Sequence, residues 1–152
     1  MNETRSSHGF CAQKTGGSST LKRTEIKELY AGMEELGGKT VTVCGWARTI
    51  RDSKALGFID LNDGSCFKGV QIVFEADKLP NYKDIAKLNV GSAIVVTGEL
   101  LLTPEAKQPF EIHATQIEIE GLSSPNYPLQ KKRHSLEFLR SIAHLRPRTN
   151  LF

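Results

Sequence analysis

Phe58, Gln71 and the cations Arg48, Arg51 and Lys54 are the side chains with the clearest chemical use in this sequence. In ALGFIDLN at 55–62, Ala55, Gly57, Ile59 and Leu61 share one parity and suit an inner face, leaving Leu56, Phe58, Asp60 and Asn62 outside. In KGVQIVF at 68–74, Val70, Ile72 and Phe74 point inward and Gln71 outward. The turn sequence Asn62-Asp63-Gly64-Ser65 joins the two runs as a hairpin, which puts Phe58 and Gln71 near one another on one external surface. A ring beside an amide can read an unstacked base. The ring stacks on it, worth ~1–3 kcal/mol, and the amide donates and accepts along its edge. Arg48, Arg51 and Lys54 lead into this surface through a loop, where they can hold phosphates or lay a guanidinium plane against a base. The same patterning leaves a second arrangement open, with Phe58 packed under an N-terminal helix or a loop and the cations simply solvated.

No catalytic constellation competes. His134 and His144 are too far apart to share one helical turn with Glu137, and no Ser or Cys nucleophile has a matching base. Asp60 and Asp63 straddle a turn and could bind Mg²⁺, but turn capping explains them more simply. The glycine pairs at 16–17 and 37–38 lack the Lys of a phosphate loop. The histidines at 8, 113, 134 and 144 have no ligand spacing, so no metal site is expected. Cys11, Cys44 and Cys66 are an odd set without a CxxC pair, which fits a reducing cytoplasm, and Cys44 and Cys66 read as small buried hydrophobes.

These candidates need a scaffold. Residues 41–50, 55–62, 67–74, 92–102 and 109–119 read as strands, and Leu79, Tyr82, Ile85, Ala86 and Leu88 mark a short amphipathic helix between the third and fourth. A phase change between Ala114 and Ile117 predicts a bulge. This order predicts an all-β fold, a five-stranded Greek-key OB barrel with a helix between strands 3 and 4 and short flanking helices. Gly45 and Gly57 fit the bends or close approaches of a tightly curved barrel. Thr24 to Tyr30 is expected to form a helix over one barrel end, with Ile26, Leu29 and Tyr30 inward and Thr24 as cap. The expected division is a disordered segment at 1–23, the barrel domain at 24–120, a hinge at 121–134 and the start of another domain at 135–152. In the last, Leu136, Leu139, Ile142 and Ala143 form a helical stripe that Pro147 interrupts, and RTNLF stops without completing an element, as in a chain that continues.

Charge does not supply the nucleic-acid argument. The chain carries net +3, but residues 1–120 hold 14 Lys+Arg against 16 Asp+Glu, while residues 121–152 hold 6 against 1. A barrel without basic excess binds RNA through stacking and a few placed cations rather than a broad field. Lys131, Lys132 and Arg133 near the junction are either contacts for an RNA backbone or a solvated charge run. No apolar run is long enough for a membrane span or a secretory signal.

CGWARTIRDSKALGFIDLNDGS at 44–65, KGVQIVF at 68–74, VTGE at 96–99 and FEIHAT at 110–115 resemble the anticodon-binding domain of the class IIb aminoacyl-tRNA synthetases. YPLQKKRHSLEFLR at 127–140 and HLRPRTNLF at 144–152 are most similar to the asparagine-tRNA ligase branch, where they form the hinge and the approach to the catalytic domain. The resemblance implies that Phe58 stacks on the central anticodon base, a uridine, that Gln71 recognises that base, and that Arg51, in the loop after the CGW strand, lines the pocket. It places Glu111 on the binding surface, with His113 where the aspartate enzymes carry a further Glu. It also implies a full-length cytoplasmic homodimer that uses ATP and Mg²⁺ to attach asparagine to its tRNA, with no catalytic residue, cofactor or metal site in this chain.

Overall fold

Apolar residues alternate with polar ones along β1 (Thr40–Asp52) and β2 (Leu56–Asn62), so each strand has one face to bury. The computed structural model describes residues 22–130, 132–149 and 151. The segment 1–21, with His8 and Cys11, and the residue Lys131 lie outside the described residues. After β1 and β2 come β3 (Val70–Glu75), β4 (Ala93–Leu102) and β5 (Phe110–Gly121). The strands close in the order β1-β2-β3-β5-β4, with β3 and β5 parallel and every other neighbour antiparallel. This is the expected OB barrel. The register between β4 and β5 shifts where Gly98 pairs with Ala114 and Thr97 with Gln116, which leaves Thr115 as the extra residue of the expected bulge.

The interior is filled by Val43, Ile59, Ile72, Phe74, Val96, Leu100 and Ile112, all buried, each contributing about 1.5–3 kcal/mol by leaving water. Gly57 is glycine for a steric reason. A Cβ there would stand 2.1 Å from the Phe74 ring, which occupies the space a side chain would need. At Gly45 a Cβ would meet the Asn62 carbonyl oxygen at 2.6 Å, so β1 and β2 approach closely at that bend.

Two short helices close the barrel ends. α1 (Ile26–Ala31) buries Ile26 and Leu29 at the end that carries the β2–β3 turn. Glu25, not Thr24, caps it. The Thr24 N–H is committed to the Thr42 carbonyl (2.8 Å), and Glu28 Oε2 accepts from the Glu25 N–H (2.9 Å). The β2–β3 turn completes the cap, since Ile26 N–H donates to Asp63 Oδ2 (2.8 Å) and Lys27 N–H to Ser65 Oγ (3.1 Å). α2 (Met33–Leu36) follows directly and leads to β1 through Gly37 and Gly38. At the opposite end α3 (Tyr82–Ala86) lies between β3 and β4, with Leu79, Tyr82, Ile85 and Leu88 buried as expected and the Tyr82 ring 5.0 Å from that of Phe74.

Burial alone would raise the Asp63 carboxyl, but hydrogen bonds from the Ser65 hydroxyl and from the Ile26 and Ser65 N–H groups outweigh it and hold it below the usual carboxylate range. A carboxyl depressed in the folded state stabilises above its unfolded pKa of about 3.9 and loses that contribution as pH falls through the folded value. Asp63→Ala is therefore expected to cost about 0.5–2 kcal/mol at neutral pH. The deficit relative to the unaltered chain should shrink below about pH 4 in denaturant titrations. A pH-independent deficit would contradict the capping role.

Several elements differ from expectation. β3 starts at Val70, not Phe67, because the Asn62 amide donates to the Cys66 and Lys68 carbonyls (3.1 and 3.2 Å) and holds that stretch as a loop with Phe67 fully exposed. Ala55 lies in the exposed β1–β2 turn instead of on an inner face. Cys44 and Cys66 are half-buried rather than core residues. In the tail, α4 (Leu136–Ser141) is capped by Ser135 Oγ, which accepts from the Phe138 N–H (3.1 Å). Of its expected stripe Leu139 is buried, Ile142 half-buried, and Leu136 and Ala143 exposed. Pro147 does not end this helix; it sits in a separate 3₁₀ turn, Arg146–Arg148. No helix among the described residues is long and apolar enough to cross a membrane.

Candidate nucleic-acid interface

The outer wall of β1, β2, β3 and β5 gathers the predicted base-reading residues. Register sets Arg51 of β1 opposite Phe58 of β2, Phe58 opposite Val73 of β3, and Val73 beside His113 of β5. One step along, Asp60 faces Gln71, and Gln71 stands beside Glu111. Phe58 and Gln71 are thus diagonal neighbours on one face, as strand parity predicts. Phe58 is half-buried on this wall, and the Arg51 guanidinium carbon lies 5.8 Å from its ring centroid. Arg51 belongs to β1, not to a loop. The polar run Arg51-Asp52 continues the ladder because its outer side faces solvent, so charge there does not end the strand.

Glu111 organises the wall. Its Oε2 accepts from Gln71 Nε2 at 3.1 Å, and its Oε1 lies 2.8 Å from His113 Nε2. An ionised carboxylate only accepts, so the Gln71 amide presents its NH₂ to Glu111 and turns its Oε1 away from Glu111, and His113 carries a proton on Nε2. His113 Nδ1 stands 3.8 Å from Glu75 Oε1. The Lys78 ammonium, hydrogen-bonded to Glu75 at 2.9 Å, holds that carboxyl below its ordinary range. Glu75 was not among the sequence candidates, although it shares the parity of Gln71 and Val73. Burial pushes the Asp60 carboxyl up, against the pull of Arg48 and Arg51.

The remaining basic candidates separate into two places. Arg48, exposed on β1, lies close enough to Asp60 to act on its carboxyl together with Arg51. It lines a cavity of about 530 Å³ with Trp46, Asp60, Tyr127, Lys132, Arg133 and His134, so the tail cations meet the barrel at this junction. Lys54 lies in the β1–β2 turn with φ 71°, and its N–H donates to Asp52 Oδ1 at 2.8 Å. Among the described residues no group of three or more His, Cys, Asp or Glu is placed to hold a metal ion.

Comparison with known proteins finds the same barrel. Residues 41–120 match the tRNA anti-codon family, described as an OB-fold nucleic acid binding domain. An asparagine-tRNA ligase from Acetivibrio thermocellus is 66% identical over 132 residues, covering 87% of this chain and 28% of the relative. The chain thus spans less than a third of the length of the curated relatives it matches. The asparaginyl-tRNA synthetase of Pyrococcus horikoshii shares the fold at TM-score 0.69 and 23% identity, over 85% of this chain and 29% of that one. The aspartyl-tRNA synthetase of Entamoeba histolytica does so at TM-score 0.69 and 19% identity, over 90% and 35%. With its closed barrel and its matched residues 41–120, the chain belongs to the tRNA anti-codon family of OB-fold nucleic acid binding domains.

Proposed function

We propose that this chain is the anticodon-reading part of an asparagine-tRNA ligase and binds the anticodon loop of asparagine tRNA on the outer wall of β1, β2, β3 and β5. The observation that carries the reading is the clamped Gln71 amide beside the Phe58 ring. With its NH₂ held by Glu111, Gln71 offers its carbonyl oxygen, which accepts from the imino N–H of a uridine stacked on Phe58. A cytidine in that place has no imino proton at neutral pH and leaves the acceptor unmatched. Arg51 flanks the stack and closes the pocket over the base. Glu111 and His113 form the adjoining rim, where the neighbouring anticodon base is read. Arg48, Lys54, Lys131, Lys132 and Arg133 are assigned to the phosphate backbone, and their loss lowers affinity without changing which loop is preferred.

Asparagine specificity rests on relatives named asparagine-tRNA ligase at 66% and 61% identity. The full enzyme then attaches asparagine to tRNA as a cytoplasmic homodimer with ATP and Mg²⁺, with residues 121–134 as its hinge and 135–152 opening its catalytic domain. No catalytic role is assigned within this chain.

The test is a titration of the chain with RNA hairpins of one stem and different loops. The asparagine anticodon should bind tightest, and cytidine at the central position should cost about 1–2 kcal/mol, roughly tenfold or more. Tightest binding to the aspartate loop, which differs at the third anticodon base, would move the assignment to an aspartate enzyme. Equal binding of all loops would leave a general single-strand binder.

A further inference from the structure

Beyond the base-reading wall, the end of the barrel under α3 carries an open cleft of about 610 Å³ between the β1–β2 turn and that helix. Lys54, Lys83 and Lys87 line it, together with Asp52 and Tyr82. All three lysines are exposed, and none forms an ion pair among the described residues, whereas Lys27 and Lys78 are paired to Glu25 and Glu75. This concentration of cations contrasts with its surroundings, since residues 24–120 hold 10 Lys+Arg against 15 Asp+Glu. The cleft's carboxylate is engaged from within the chain. Asp52 accepts from the Tyr82 hydroxyl and from the Lys54 N–H, and the first of these bonds is the main reason that its carboxyl sits low and that the Tyr82 phenol is pushed up to about 12.

We propose that this cleft is a second RNA subsite, which grips the phosphodiester backbone of the strand whose base stacks on Phe58. The inference rests on the base-reading assignment of the wall and deepens it. Arg51 and Asp52 are consecutive on β1, so their side chains leave on opposite sides: Arg51 meets Phe58 on the wall, and Asp52 meets Tyr82 over the barrel end. The β1–β2 turn is therefore the lip between wall and cleft, and a strand leaving the Phe58 stack past Arg51 crosses it at Lys54. Among the described residues Lys54 is the one non-glycine with positive φ. A side chain held in the left-handed region is strained, and the Asp52 bond to its N–H together with the Ser53 N–H to Leu56 carbonyl bond (2.9 Å) keeps it there. The strain sits where a cation at the lip serves the backbone path. Of the cleft's side chains only Tyr82 is aromatic, and its ring is buried against Phe74, so the cleft takes phosphates and not bases.

The experiment measures affinity of the whole chain for the asparagine-anticodon hairpin across a series of KCl concentrations. For the Lys83→Ala/Lys87→Ala double variant, the slope of log affinity against log salt should become shallower by about 1.5, as for two lost phosphate contacts. Phe58→Ala should lose affinity at every salt concentration with its slope unchanged. Lys54→Gly supplies a readout that a purely structural lysine would not give: thermal stability held or raised by relief of the left-handed strain, with weaker RNA binding. An unchanged slope in the double variant, with hairpin binding intact, overturns the subsite and leaves the wall assignment standing. Failure of the unaltered chain to bind the hairpin overturns both. Poly-glutamate binding that the double variant loses while RNA binding persists would give the cleft to an acidic protein instead.

Discussion

Phe58→Ala should weaken binding of the asparagine-anticodon hairpin by about 1–3 kcal/mol, roughly 5- to 150-fold, while leaving the folding transition nearly in place. The two halves of this expectation come from the same geometry. The ring stands on the outer wall, half-buried, with Val73 across from it and Arg51 beside it, and the barrel interior is filled without it. Removing it takes away a stacking platform and a partner for the guanidinium, but opens no cavity in the core. Equilibrium titration gives the affinity, and thermal melting shows that the variant is folded. A folded variant of unchanged affinity would remove Phe58 from the site.

The largest stability effect is expected at Phe74. Its ring is fully buried between Tyr82 of α3 and the bare backbone of Gly57. Phe74→Ala should cost about 3–5 kcal/mol, because Gly57 has no side chain with which to fill the space. Gly57→Ala alone should also destabilise, by about 1–3 kcal/mol, since its new Cβ meets the ring. In the Phe74→Ala background the same Gly57→Ala change should be neutral or stabilising, because the clash is gone and a void is partly filled. Denaturant unfolding of the four proteins tests this reversal of sign. Additive losses would mean that the two positions do not share one space.

The barrel was legible because its signals are local and periodic. Alternation in β2 and β3 assigns Phe58 and Gln71 to one face, and the helical spacing of Leu79, Tyr82, Ile85 and Leu88 marks the plug between strands 3 and 4. What escaped depends on contacts far apart in the chain. The parallel pairing of β3 with β5 brings Glu111 to Gln71 across 40 positions, and nothing local announces that bond. Phe67 looked like the start of a strand by its intrinsic preference, yet the Asn62 amide holds its neighbours in a loop. Arg51 fell just past the expected strand 41–50, although β1 runs on to Asp52 because the solvent side of a half-exposed strand accepts charge. The cleft lysines were unreadable for a further reason: Lys83 of α3 and Lys87 at its C-cap are ordinary exposed residues until the fold sets them against Lys54. The choice between asparagine and aspartate is not visible in the fold at all, since members of both groups superpose on it at TM-score 0.69.

The central claim, that Phe58 stacks on the middle anticodon base, is tested most directly by a cycle of four affinities. The unaltered chain and Phe58→Ala are each titrated with the asparagine-anticodon hairpin and with the same hairpin made abasic at the middle position. If ring and base are partners, either deletion alone weakens binding by about 1–3 kcal/mol and the second adds little to the first. Losses that simply add would show that Phe58 and the middle base act on binding separately, and would contradict the account.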